Sequence, residues 1–156
     1  MSLLSEYEEA RTAEGVARAR RVMALRAMLA EGKTQREIAA ALGVSQPAIS
    51  QQLRSAAVAD IDPATSVAAG GPILRELADR RGFSDLAVFG SVARGEARGD
   101  SDIDLLVRPP TGTTITALQA LEDLFEEVLG HPVDVVSYGG LKPGIDDDVM
   151  REAVLL

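Results

Sequence analysis

Apolar positions in the first third of the chain recur at helical spacing. The segment from Tyr7 to Ala30 is rich in Ala, Arg, Glu and Leu and holds no proline. Val22, Leu25 and Leu29 fall on one face of a helix built from it. The pattern therefore predicts one long helix here, or two helices broken near Gly15.

Two short helices are predicted next, separated by a turn at Gly43. Thr34 and Glu37 have the spacing of a capping box, in which each side chain satisfies a free backbone N–H at the start of a helix. Gly43 can adopt the positive φ that ends this helix. Ser45 is a capping residue for the following helix, and Pro47 is tolerated in its first turn. The amino-terminal part is thus predicted to be all α.

The stretch TQREIAAALGVSQPAISQQL, residues 34–53, resembles the helix-turn-helix of bacterial DNA-binding regulators. The resemblance implies that the second helix enters the major groove of operator DNA. Dimerisation through the long first helix would double the contacts. The alternative is a plain helical hairpin used for packing or dimerisation. The predicted DNA-binding residues are Ser45, Gln46, Ser50, Gln51 and Arg54.

Residues 60–72 differ in composition from both sides of the chain. They hold two prolines, two adjacent glycines and mostly small side chains, which predicts a linker. Net charge also changes there: the chain carries −8 overall, with +2 on residues 1–58 and −10 on residues 59–156. We therefore expect a helix-turn-helix domain at 1–59, a linker at 60–72 and a second domain at 73–156.

The carboxy-terminal part contains apolar residues at strand spacing and at helix spacing. Short apolar runs bounded by Gly or Pro predict strands, and longer amphipathic runs predict helices. No βαβ unit repeats, so the expected class is α+β with a small mixed sheet. The predicted strands are 83–89, 101–107 and 132–137, and the predicted helices are 73–81, 114–129 and 145–156.

Composition limits the chemistry that is available. The chain has no cysteine and a single histidine, His131, which excludes disulfides, thiolate zinc sites and cysteine nucleophiles and leaves little for a Ser-His-Asp relay. Catalysis must depend on carboxylates, hydroxyls, Lys and Arg. The amino terminus lacks a basic region followed by an apolar run, and no 18 apolar residues run together, so we expect a cytoplasmic protein without membrane contact.

Three acids and a glycine-serine pair form the candidate chemistry. Asp102 and Asp104 are two apart on a predicted strand, so both side chains leave the same face. Paired carboxylates repel each other unless a cation lies between them. Because all the available ligands are oxygen atoms, the expected cation is Mg²⁺. Asp134 stands alone among valines in another strand. Gly90 and Ser91 follow a strand and form a turn that can hold phosphate. This turn and the three acids together predict metal-assisted phosphoryl or nucleotidyl transfer.

The segment GSVARGEARGDSDIDLLV, residues 90–107, with ten residues between Ser91 and Asp102 and VDVV downstream, resembles the DNA polymerase beta-like nucleotidyltransferase superfamily. More narrowly it resembles the minimal nucleotidyltransferases that act as antitoxins beside HEPN-type ribonuclease toxins. The resemblance implies that Gly90 and Ser91 hold the triphosphate of ATP. It also implies that Asp102 and Asp104 bind two Mg²⁺ ions, and that Asp134 ligates metal and assists the attacking hydroxyl.

Two nearby arginines leave two interpretations open. Arg94 and Arg98 either steady the phosphates or only neutralise the neighbouring acids. We include Arg94 among the predicted nucleotide-binding residues. Asp146, Asp147 and Asp148 are expected to cap the final helix, where negative charge meets the helix dipole.

Together these features predict a nucleotidyltransferase antitoxin that transfers AMP from ATP to a cognate toxin and binds its own operator. The alternative is a DNA-binding repressor or antitoxin whose transferase fold only binds the partner or nucleotide, without turnover. An enzyme that modifies antibiotics, similar to the aminoglycoside nucleotidyltransferases, is disfavoured because about 90 residues leave little room for a substrate-binding subdomain.

Overall fold

The structure is a computed structural model that describes residues 2–55 and 57–156; Met1 and Ala56, both inside the predicted helix-turn-helix domain, lie outside them. No helix in the described residues is long and apolar enough to cross a membrane. The helices are α1 (Leu3–Ala30), α2 (Gln35–Leu42), α3 (Gln46–Leu53), α4 (Pro63–Arg80), α5 (Gly90–Arg94), α6 (Ile115–Leu129) and α7 (Asp147–Glu152). The strands are β1 (Ser84–Phe89), β2 (Ile103–Arg108), β3 (Val133–Ser137) and β4 (Val154–Leu155), and a 3₁₀ turn spans Tyr138–Gly140.

The helix-turn-helix is bounded by the predicted capping residues. The Thr34 hydroxyl accepts a hydrogen bond from the Glu37 N–H at 3.1 Å, and the Ser45 hydroxyl accepts one from the Ala48 N–H at 3.2 Å. Gly43 ends α2 with a φ of 69°. Helices α2 and α3 close on a small apolar core with α1, formed by Leu25, Ile38, Ala39 and Ile49. The long helix α1 is continuous and does not break at Gly15.

Most of the predicted linker at 60–72 is helical, which corrects that expectation. Pro63 occupies the first turn of α4, where no backbone N–H is needed, and Asp62 accepts the N–H of Thr65 at 2.9 Å. Gly70 is buried: a Cβ there would lie 2.7 Å from Leu129 Cδ2 in α6. The small residues thus permit close helix packing rather than flexibility. The division of the chain at this segment stays a prediction.

Helix α1 belongs to both cores of the molecule. Its residues Ala19, Val22, Met23 and Ala27 pack into the main core that covers the sheet. On the same helix, Arg26 Nη1 donates to the main-chain carbonyl of Glu127 at 3.1 Å. The helix-turn-helix is therefore joined to the sheet by a packed helix.

The sheet is mixed, with strand order β3-β2-β1-β4. Strand β1 is antiparallel to β2 and to β4, whereas β2 and β3 run parallel. Helix α6 covers the edge strand β3: the carboxylates of Glu126 and Glu122 accept the N–H groups of Val133 and Val135 at 3.0 and 2.8 Å. The predicted α+β class with a helical amino terminus and a small mixed sheet is confirmed.

The carboxy terminus differs from the helix predicted for residues 145–156. Helix α7 ends at Glu152, and Val154 and Leu155 form β4, which pairs with β1 at Val88. The Leu156 N–H then donates to the Leu86 carbonyl at 3.0 Å. The apolar spacing did predict a helix, but the open edge of β1 offers backbone partners that a helical turn cannot use. This pairing brings Glu152, at the end of α7, next to the Gly90 turn.

Candidate active site

Three aspartates meet at one end of the sheet. Asp104 in β2 is the register partner of Asp134 in β3 and of Phe89 at the end of β1. Asp102 lies immediately before β2 rather than within it. Asp104 is half-buried, whereas Asp102 and Asp134 are exposed. The structure thus brings together all three predicted acids, beside the turn that follows β1.

The electrostatics of this cluster centre on Asp104. Burial raises the pKa of its carboxyl above the usual value, and the charges of Asp134, Asp102 and Glu152 raise that pKa further, while Arg94 lowers it. Among residues 2–55 and 57–156, no group of three or more His, Cys, Asp or Glu side chains is placed to hold a metal ion. The site is a set of mutually repelling carboxylates.

Position 90 requires glycine because the Asp104 carboxylate lies against its backbone. Its φ of 70° favours glycine, and a Cβ at this position would collide with Oδ2 of Asp104 and lie 3.0 Å from Cγ. Strand β1 therefore turns directly against the Asp104 carboxylate and continues as α5, in which Ser91 is the second residue. The predicted phosphate turn and the predicted metal-binding acid are in contact.

Arg94 and Glu152 form the charged side of the site. Arg94 Nη1 lies 3.1 Å from Oε2 and 3.3 Å from Oε1 of Glu152, and Arg94 Nε donates to Glu96 at 3.0 Å. Glu152 Oε1 also accepts the N–H of Gly90 at 3.0 Å. The sequence analysis missed Glu152, because nothing in its local pattern indicated that β4 would bring the end of α7 to this turn.

Helix α3 and its two capping residues carry the predicted DNA-binding residues. Ile49 anchors the helix in the small core. Gln46, although exposed, donates through Nε2 to Gln35 Oε1 at 2.8 Å. Ser50, another of the predicted DNA-binding residues, is partly buried. The exposed members of the predicted set are Ser45, Gln46, Gln51 and Arg54.

Comparison with known proteins agrees with this arrangement. Residues 72–156, more than half of the chain, match the family model described as a nucleotidyltransferase domain. The chain belongs to this nucleotidyltransferase family. Residues 17–58 match the model for region 4 of sigma-70, which covers α2, α3 and the second half of α1. The superfamily resemblance and the helix-turn-helix resemblance are both confirmed.

Individual relatives of this nucleotidyltransferase come from archaea. The protein adenylyltransferase MntA of Thermococcus cleftensis is 42% identical over 80 residues, which are 51% of this chain and 81% of that protein. MJ0435 of Methanocaldococcus jannaschii is 40% identical over 75 residues, 48% of this chain and 81% of that protein. A solved structure of a protein assigned as a minimal nucleotidyltransferase has 42% identity and a TM-score of 0.56, covering 62% of this chain and 98% of that one.

Two other segments of the nucleotidyltransferase have structural roles. The Tyr138 hydroxyl donates to the Asp85 carbonyl at 2.9 Å, and the Arg108 guanidinium lies 4.9 Å from its ring centroid. This cluster is at the opposite end of β2 from Asp104. Asp146 precedes α7 as expected, but its side chain accepts the Lys142 N–H at 2.7 Å and makes no capping bond to the helix.

Proposed function

We propose that this nucleotidyltransferase transfers AMP from ATP to a cognate toxin protein and binds its own operator DNA. The observation that carries the first half is the contact of the Gly90 turn with Asp104, beside Asp102 and Asp134. A phosphate-binding turn next to clustered carboxylates is the equipment of metal-assisted nucleotidyl transfer. The relative from Thermococcus cleftensis carries the name protein adenylyltransferase.

The donor set suits Mg²⁺. It consists only of carboxylate oxygens, and the raised pKa of Asp104 reflects burial and neighbouring negative charge that a cation would neutralise. Mg²⁺ is commonly bound by one or two protein carboxylates, with substrate phosphates and water completing its shell, so a full protein cage is not required. Asp102 and Asp104 would hold two Mg²⁺ ions with Asp134. When bound, the metal supplies Lewis acidity at the phosphate oxygens.

The remaining residues of the site orient the reactants. The Ser91 hydroxyl and the backbone N–H groups of the Gly90 turn are donors for phosphate oxygens, and Arg94 adds a guanidinium on the same side. Asp134 is exposed and can accept a proton from an acceptor hydroxyl. The acceptor oxygen would attack the α-phosphorus and pyrophosphate would leave. These residues hold the two reactants in line rather than forming a covalent intermediate.

The expected partner is a basic toxin, a HEPN-type ribonuclease. Residues 59–156 carry a net charge of −10, which favours a positively charged partner through electrostatic steering. This charge serves a binder as well as an enzyme, so a complex alone does not separate the two functions. Turnover separates them, because one enzyme molecule can silence many toxin molecules.

A titration tests turnover against sequestration. We expect purified protein with ATP and Mg²⁺ to silence its cognate toxin, the proposed ribonuclease, at molar ratios well below one. The silenced ribonuclease should gain the mass of one or more adenylyl groups. Asp104→Asn should require at least equimolar protein and leave the mass unchanged. Equal protection by wild type and Asp104→Asn, without any mass gain, would instead support the repressor that binds without turnover.

The second half of the proposal assigns DNA binding to α3. Its exposed residue Gln51 and its C-cap residue Arg54 carry side chains of the kinds that bond to base edges and phosphates, and residues 1–58 carry a net charge of +2. The test needs the full chain, because α1 residues Val22 and Met23 pack against the sheet domain and an isolated amino-terminal segment would expose them.

Substitutions on α3 should separate affinity from sequence preference. We expect Gln51→Ala to cost about 1–3 kcal/mol at one operator position and to relax preference there, and Arg54→Ala to weaken binding to all sequences and reduce the salt slope by about one. Gln119→Ala, on an exposed position of α6, is the matched control. Fluorescence anisotropy with promoter DNA at several salt concentrations measures all three. Unchanged operator binding by both α3 variants would refute the assignment.

A further inference from the structure

Glu152 holds two of the groups that the proposed function assigns to the nucleotide. Its Oε1 accepts the Gly90 N–H at 3.0 Å, and its carboxylate lies 3.1 and 3.3 Å from Arg94 Nη1. The side chain is only 21% exposed, whereas Glu96, the second partner of Arg94, is 66% exposed. Of the two carboxylates that pair with Arg94, that of Glu152 is therefore inside the site and that of Glu96 is at its rim.

The position of Glu152 is set by the backbone that follows it. Two residues later Val154 pairs with Val88 of β1, and at the end of the chain the Leu156 carbonyl accepts a bond from Arg75 Nη1 at 2.8 Å. Because the backbone is tied down, the carboxylate can leave Gly90 and Arg94 by rotation of its own side chain. The contact can therefore open without unfolding α7.

A nucleotide phosphate and this carboxylate need the same partners. Both are anions that accept from a backbone N–H and from a guanidinium. With the largely buried Glu152 carboxylate paired to it, Arg94 has its positive charge offset inside the site, so an incoming triphosphate meets little net attraction on that side. Asp102, Asp104 and Asp134 add further negative charge.

We infer that Glu152 is an internal anion that competes with the phosphates of the nucleotide for the Gly90 amide and the Arg94 guanidinium, and so limits nucleotide affinity. The inference rests on the proposed nucleotide site and names a residue that acts in it. A purely positioning role for Glu152, holding Arg94 and the turn in place, makes the opposite prediction: loss of the carboxylate would weaken binding.

The test is the dissociation constant for ATP with Mg²⁺, measured by calorimetry on the full chain. Glu152→Gln removes the charge and keeps the shape, and we expect the Kd to fall about tenfold, as removal of one like charge near the phosphates predicts. Glu152→Ala should act in the same direction. Glu96→Gln, the matched control, should change the Kd less than about threefold because its carboxylate is solvated. Adenosine, which lacks phosphates, should bind wild type and Glu152→Gln equally.

The outcomes separate this inference from the proposed function. ATP binding by wild type with no gain, or a loss, in both folded Glu152 variants would overturn the inference and leave the nucleotide site standing. An equal gain for adenosine would also overturn it, because the effect would then not concern phosphate. ATP binding by neither wild type nor Glu152→Gln would refute the nucleotide site, and the inference with it. Circular dichroism confirms that each variant is folded.

Discussion

Replacing Gly90 with alanine should abolish nucleotidyl transfer, whereas the same replacement at Gly95 should leave most of it. Both glycines have nearly the same positive φ, 70° and 72°, so the backbone cost of alanine is similar. The two glycines differ in their surroundings. A Cβ added at Gly90 would meet the Asp104 carboxylate, whereas a Cβ added at Gly95 would have nothing within 4 Å. We expect a loss of about a hundredfold or more for Gly90→Ala, because Asp104 or the turn must move.

Labelling of the partner with radioactive ATP, at matched concentrations of folded protein, measures this difference. Thermal unfolding of both variants shows how much of the effect is stability. Equal activities for Gly90→Ala and Gly95→Ala would mean that the contact between the turn and Asp104 is not part of the reaction geometry.

Replacing Asp104 with asparagine should remove transfer and stabilise the metal-free protein. Loss of a carboxylate at the reacting centre is expected to lower the rate by about a hundred- to a thousandfold. Stability moves the other way because the pKa of Asp104 is raised in the folded state, mainly by burial and then by Asp134 and Asp102. Protonation of Asp104 therefore favours folding, and this contribution is lost as pH rises through the raised pKa.

The pH dependence of the melting temperature tests whether the Asp104 carboxylate destabilises the folded protein. In chelator, the melting temperature of Asp104→Asn should exceed that of wild type at neutral pH. The advantage should shrink as pH falls towards the ordinary aspartate pKa, about 3.9. Asp100→Asn, at an exposed acid of the preceding loop, is the matched control for the loss of one carboxylate. A lower melting temperature for Asp104→Asn at neutral pH would contradict the electrostatic description of the site.

Local signals predicted much of the molecule. Thr34, Gly43 and Ser45 act through bonds within a few residues, so the bounds of the helix-turn-helix could be read from spacing. The alternation of acidic and aliphatic residues around Asp104 likewise indicated which side chains lie on the same face of the sheet. These features depend on backbone geometry that neighbouring residues determine.

The features that could not be predicted depend on distant contacts. Gly70 and its small neighbours have the composition of a flexible linker, and only the approach of Leu129 from α6 shows why small residues are needed there. Strand β4 has two residues and exists because the edge of β1 is open to it. Glu152 reaches Gly90 only through that pairing, 62 positions away along the chain.

The most direct test of the central claim follows the label from ATP. Wild-type protein, Mg²⁺ and the proposed ribonuclease partner are incubated with ATP labelled either at the α-phosphate or at the γ-phosphate, and the ribonuclease is then isolated. Adenylyl transfer predicts that α-label becomes attached to the ribonuclease, that γ-label does not, and that Asp104→Asn attaches neither. Attachment of γ-label, or of no label while the ribonuclease is silenced, would contradict adenylyl transfer as the activity of this site.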